Sequence, residues 1–97
     1  MSAADTHAAI DAIWRIESSK IIAYLTRMVR DIGLAEDLAQ DALIAALERW
    51  PQDGIPDIPG GWLMTAAKRK ALDLLRRNKV RDRKYEQLGR DMDSEIG

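Results

Sequence analysis

The sequence predicts an all-α fold: a compact bundle of three main helices, with a Pro/Gly-rich loop before the last and one more short turn near the end. Three observations carry this. Apolar residues recur at three- and four-residue intervals through three separate stretches, the period of a helix face. No stretch alternates apolar and polar residues as a half-buried strand does. Between the second and third stretches, residues 51–61 read PQDGIPDIPGG, with three Pro and three Gly. The 97 residues suffice for a single domain, 1–97, with one modest core.

The first helix is expected over residues 5–31. Ile10, Ile13, Trp14, Ile21, Tyr24, Leu25, Met28 and Val29 fall on its apolar side. Asp5 or Thr6 suits its N-cap, and Gly33 is placed to end it. The second helix is expected over 34–50, where Ala35, Leu38, Ala39, Ala42, Leu43, Ala46, Leu47 and Trp50 form an unbroken apolar stripe. Glu36 and Asp37 lie in its first turn, at the positive end of the helix dipole. Pro51 is expected to stop it, because proline removes an amide donor. Residues 51–61 then form the loop. The third helix is expected from 61 to 84, with Leu63, Ala67, Ala71, Leu74 and Leu75 inward. Past Arg83 the pattern weakens. Residues 85–97 are acidic and read as the start of a linker, with room for a turn around Tyr85–Met92.

Composition narrows the function. Hydrophobic residues make up 46%, which suits a globular chain rather than a disordered one. The absence of Cys excludes disulfides and cysteine metal sites. His7 stands alone in the polar N-terminal stretch, without the partners a metal ligand or catalytic base needs, so no metal and no cofactor are expected. No run of about 18 apolar residues exists to span a membrane, and no signal pattern opens the chain, so a cytoplasmic location is expected.

The net charge of −1 conceals an asymmetry. Between Lys68 and Lys84 nine Lys and Arg oppose Asp73 and Asp82, a balance of +7. The other residues hold six basic and fourteen acidic groups, a balance of −8. Such a chain suggests two partner surfaces of opposite sign, although solvated faces would also keep it soluble.

On a wheel of about 100° per residue, the outward face of the second helix gathers Asp37, Gln40, Asp41, Ile44 and Glu48. Solvation accounts for the four polar positions. Ile44, flanked by Asp41 and Glu48, also fits an apolar anchor inside an acidic rim, the pattern of a helix-docking surface. Asp37 and Asp41 are one turn apart, but neither a cleft nor a nucleophile accompanies them, and an enzyme is not expected.

The outward face of the third helix carries Thr65, Lys68, Arg69, Leu72 and Arg76, with Arg77 at its margin and Lys70 on its flank. Asn78, Lys79, Arg81, Arg83 and Lys84 continue beyond. The dipole favours cations near a helix C-terminus, which covers Arg76, Arg77 and Lys79 but not Lys68–Lys70. A nucleic-acid backbone is the more economical partner. Trp62, directly after the loop, suits a core residue and equally a platform for an unstacked base. Trp14 and Trp50 lie on apolar stripes and are assigned to the core.

The run Ala35–Glu36–Asp37–Leu38–Ala39–Gln40–Asp41, followed by Leu43, Ala46 and Trp50, resembles the region 2.2 helix of bacterial RNA polymerase sigma factors. The run from Gly61 through Trp62, Leu63 and Ala71–Leu72–Asp73–Leu74–Leu75–Arg76–Arg77 resembles their region 2.3/2.4 helix, most nearly that of the extracytoplasmic-function group. Together they cover about residues 10–84. The resemblance implies a region 2 domain, non-enzymatic and without a cofactor, that binds the polymerase core and recognises and melts the promoter −10 element. It implies that Asp37, Gln40, Asp41, Ile44, Leu47 and Glu48 grip the clamp helices of the polymerase β′ subunit, which turns Ile44 toward a partner. It implies that Asp53, Gly54, Ile55, Asp57 and Ile58, within the loop at Gln52–Gly60, capture a flipped base of the single-stranded non-template strand. It assigns promoter contact to Trp62, Thr65, Lys68, Arg69, Leu72, Arg76, Arg77 and Lys79. An anti-sigma factor or a regulatory domain is a further partner of this class.

Two departures stand out. Many family members carry Asn where this chain has Arg69, which suits a phosphate as well as a base. Family members also continue into a region 4 helix-turn-helix, and the acidic end here is expected to lead toward such a segment or to close a lone domain. The rival expectation is a generic helical nucleic-acid-binding module with no polymerase partner.

Overall fold

The structure is a computed structural model that describes residues 2–96, with side chains described through Leu88. Three helices follow one another: α1 (Ala3–Val29), α2 (Ile32–Asp53) and α3 (Pro59–Ile96). No strand occurs among the described residues. The predicted all-α bundle of three main helices is what the chain forms, and the element ends are where the sequence reading needed correction.

Helix α1 begins earlier than residue 5. Ser2 is its N-cap, with the Asp5 amide donating to Ser2 Oγ at 3.2 Å and the Ser2 amide donating to Asp5 Oδ2 at 3.3 Å. Asp5 therefore closes a capping box from inside the helix rather than capping it. Thr6 is buried, and its hydroxyl donates to the Ser2 carbonyl at 3.0 Å.

The other end of α1 is not set by Gly33. Arg30 takes the left-handed conformation, φ 58° and ψ 34°, and its amide donates to the Thr26 carbonyl at 2.7 Å. Asp31 follows at once as the N-cap of α2, its Oδ1 accepting from the Leu34 amide at 3.1 Å. Gly33 thus lies in the first turn of α2. Two residues make the connection, so α1 and α2 pack side by side.

Pro51 does not stop α2. It sits inside the last turn, where it costs the helix one intrahelical hydrogen bond without ending it. The helix ends at Gly54, whose φ of 91° turns the chain while its amide donates to the Trp50 carbonyl at 2.9 Å. Only that positive φ demands glycine here, since a Cβ would meet open space. The connection is therefore residues 54–58, shorter than the expected 51–61. Pro59 opens α3, where a missing amide costs nothing. The third helix neither starts at 61 nor ends at 84. Its backbone stays helical to Ile96, through residues assigned to a turn and a linker. Gly97, and the side chains past Leu88, lie outside the described residues.

The core joins Ile10, Ile21 and Leu25 of α1 to Ala35, Leu38, Ala39, Ala42, Ala46 and Trp50 of α2 and to Leu63, Ala67 and Ala71 of α3. The alanines of α2 and α3 are small enough to bring the helices into close approach. Several residues expected inside lie at the margin. Ile13, Trp14, Met28, Val29, Leu43 and Leu74 are half-buried against the core. Tyr24, Leu47 and Leu75 are exposed. Beyond Leu74, α3 runs clear of the other two helices, and the chain extends over 68 × 25 × 18 Å.

Candidate functional site

The loop at 54–58 folds back over the junction of α2 and α3 and closes one end of an open groove of about 740 Å³. Ala45 and Arg49 of α2 form one wall, Pro56 and Ile58 the end, and Trp62, Thr65, Ala66, Arg69, Lys70 and Asp73 of α3 the other wall. Trp62 belongs both to the framework and to the lining of the groove. It packs edge to face with the buried Trp50, ring centres 5.2 Å apart and planes at 69°, and it lines the groove with its remaining surface. The Trp50 indole N–H is buried without a hydrogen-bond partner.

Of the residues assigned to DNA, Trp62, Thr65 and Arg69 meet in this groove. Lys68 points the other way, with its Nζ 5.7 Å from the centre of the Tyr24 ring on α1. Leu72 is partly exposed between the two. Arg76 and Arg77 stand on the projecting part of α3, where with Val80, Arg81 and Lys84 they border a shallow cleft of about 360 Å³. Lys79 is exposed on the same stretch. The basic residues therefore form a band that starts in the groove and runs along α3, rather than one compact patch.

The five residues assigned to base capture do not share a surface. Asp53 is the last residue of α2. Asp53, Gly54 and Ile55 border a different cleft, with Thr6, Trp50, Pro51 and Gln52. Ile55 is half-buried against the core. Asp57 is exposed, and only Ile58, 75% exposed, reaches the groove. The groove also contains Arg49, Pro56 and Lys70, which the sequence reading left unassigned or on a flank. Arg49 stands one turn beyond Ala45, but nothing in the sequence says that the loop folds back beside it.

The second face lies on α2. Asp37, Gln40, Asp41, Ile44, Leu47 and Glu48 are all exposed, and Ile44 keeps 50% of its surface open. Among the described residues the one ion pair joins Arg15 to Asp11 at 3.1 Å, both on α1. Among the described residues, no carboxylate of α2 and no cation of α3 has an ion-pair partner. No group of three His, Cys, Asp or Glu among the described residues could hold a metal ion.

The chain matches the sigma-70 region 2 family over residues 13–81. It is 39% identical over 67 residues to a probable ECF RNA polymerase sigma factor, SigI, of Mycobacterium tuberculosis. That match covers 69% of this chain and 22% of the relative. It is 40% identical over 53 residues to an uncharacterized protein of Rhizobium meliloti (strain 1021), covering 55% of this chain and 12% of that protein. The chain thus spans less than a quarter of the length of the curated relatives it matches. No solved structure matches it. The match spans most of α1, all of α2 and the basic half of α3, and the chain belongs to the sigma-70 region 2 family.

Proposed function

We propose that this chain binds the RNA polymerase core through the exposed face of α2 and engages the single-stranded non-template strand of a promoter −10 element through the groove and the basic band of α3. The observation that carries this reading is the division of unpaired charge. An acidic face around Ile44 and a basic groove lined by Trp62 stand on the same small bundle, and among the described residues neither has an ion-pair partner.

Each face suits its ligand. On α2, Ile44 and Leu47 are the apolar centre, and Asp37, Gln40, Asp41 and Glu48 are the rim that meets basic side chains of the β′ clamp helices. In the groove, Trp62 offers a ring face to an unstacked base, while Arg69 and Lys70 meet its phosphates. Arg76, Arg77 and Lys79 continue along the backbone. Extracting a base costs a few kcal/mol, which the bundle recovers only when polymerase holds the strand open. The bundle positions DNA and performs no catalytic step. Ile58 and Pro56 take over the capture role first given to the whole loop. An anti-sigma factor or regulatory domain would act by covering one of the two faces. Polymerase works in the cytoplasm, which is where this reading puts the protein. No helix among the described residues is long and apolar enough to cross a membrane.

The test is a pull-down with core polymerase and with a non-template −10 oligonucleotide, using Asp41→Arg and Arg69→Glu. Asp41→Arg is expected to lose polymerase and keep the oligonucleotide, and Arg69→Glu the reverse. A generic nucleic-acid-binding module would leave Asp41→Arg without effect, and that result would refute the polymerase half.

A further inference from the structure

The groove holds one carboxylate that phosphate binding does not explain. Of its charged lining residues, Arg49, Arg69 and Lys70 are cations and Asp73 is the exception. Asp73 is exposed and stands one turn beyond Arg69 on α3. Lys70, Arg76 and Arg77 also lie three or four residues from it, the spacing at which opposite charges on a helix meet. Among the described residues, its carboxylate is within ion-pair distance of none of them. A surface that only gathers phosphates is weakened by such a group, which repels the strand's own charge.

An ionised carboxylate accepts hydrogen bonds and donates none. The phosphates and deoxyriboses along a DNA strand offer it no donor, so its partner must be a base. An unpaired base presents its Watson–Crick edge. On that edge guanine carries two adjacent donors, N1–H and N2–H, which match two carboxylate oxygens side by side, as a guanidinium does. Adenine and cytosine offer one amino group beside a ring-nitrogen acceptor. Thymine offers one N–H between two carbonyls. Each of these three sets a lone pair against the carboxylate. We propose that Asp73 selects guanine at one position of the strand in the groove, through both of its carboxylate oxygens. This rests on the reading of the groove as a single-stranded DNA site, and adds a base preference to it. Trp62 lies eleven residues earlier on the same helix, about 17 Å along the axis. The guanine is therefore a different nucleotide from the one stacked on Trp62, and Arg69 and Lys70 hold the backbone between them.

Fluorescence anisotropy with the whole chain at low salt tests this. The probes are a short labelled all-thymine strand and versions with one guanine, or one inosine, at each position in turn. Inosine is guanine without the 2-amino group. The parent is expected to bind the best-placed guanine strand about tenfold more tightly than the all-thymine strand, with the matching inosine strand between them. Asp73→Ala is expected to bind the all-thymine strand more tightly than the parent does and to lose the guanine preference. Asp73→Asn keeps the shape, exchanges one acceptor for a donor, and is expected to lose the guanine–inosine difference. Asp73 lies outside the core cluster, so both variants should melt as the parent does. Equal binding of every strand by the parent, with Arg69→Glu weakening all of them, would overturn the guanine selection and leave the groove a DNA site. Asp73→Ala tightening every strand by the same factor would reduce the carboxylate to a repulsive charge and overturn it too. Failure to bind any strand would overturn both readings.

Discussion

Ile44 offers the sharpest test of the proposed polymerase-binding face, because its part in the fold and its proposed part in binding separate cleanly. It sits on α2 with half of its surface open, outside the cluster that holds the bundle together. Complete burial of an Ile side chain is worth about 1.5–3 kcal/mol, so the part still open can contribute about 1 kcal/mol to a partner that covers it. Ile44→Ala should therefore weaken binding to core polymerase by roughly fivefold to tenfold. The melting temperature should hold, since Ala is the better helix former and little buried surface is lost. Ile44→Asp is the harsher form. It adds a fourth carboxylate to a rim already holding Asp37, Asp41 and Glu48, and asks the partner to bury it unpaired. Binding should then fall at least about a hundredfold. Fluorescence titration of core polymerase measures both constants, and a circular-dichroism melt shows that the fold is intact. If Ile44→Asp melts normally and binds polymerase as the parent does, the face has been misassigned.

Other expectations concern the groove and the framework. Single-stranded oligonucleotide binding should fall with salt, and Arg69→Glu should lower the slope of log K against log salt by about 0.7 or more, the loss of one phosphate contact. An unchanged slope would place Arg69 off the backbone. Leu38→Asp puts a charge in the sealed core and should abolish the cooperative melt. Leu74→Asp should only lower the melting temperature, because the half-buried position lets the carboxylate reach water. Arg30→Gly should stabilise the chain. The left-handed backbone costs a non-glycine residue about 1 kcal/mol, and the extra freedom of unfolded glycine offsets part of that gain. A rise of about 2–4 °C is expected, and a fall would mean that the Arg30 side chain holds the turn.

The helices and most of the core were legible because periodicity reports burial directly. Leu38, Ala42 and Ala46 recur on one face and can only point inward together. The ends were harder, because each depends on a backbone choice that competes with a stronger-looking signal. Gly33 and Pro51 advertise themselves as terminators, yet Arg30 takes the left-handed turn and Gly54 ends α2. Tyr24 and Leu75 have the right spacing for the core but lie where the neighbouring helix no longer covers them. The acidic face could be read because it belongs to one helix. The groove could not, because Arg49, Pro56 and Arg69 come from three segments and meet only when the loop folds back. Residues 85–96 carry too few apolar residues to announce a helix, and the continuation of α3 through them was missed for that reason.

The alanine ridge of α2 has a mechanical consequence. Ala35, Ala39, Ala42 and Ala46 are almost wholly buried, so backbones rather than pliable side chains set the spacing, and α2 can neither slide nor roll without collision. Both faces hang from this one rod. Asp37 lies near its start and the groove residue Arg49 near its end, about 18 Å apart along the axis. Helix α2 then behaves as a ruler: whatever grips the acidic end fixes where the basic groove is aimed. Inserting one residue between Ile44 and Ala45 would swing Arg49 by about 100° relative to Asp37. The same turn would carry Ala46 and Trp50 out of the core, so the relative aim of the two faces is tied to the packing of the bundle itself.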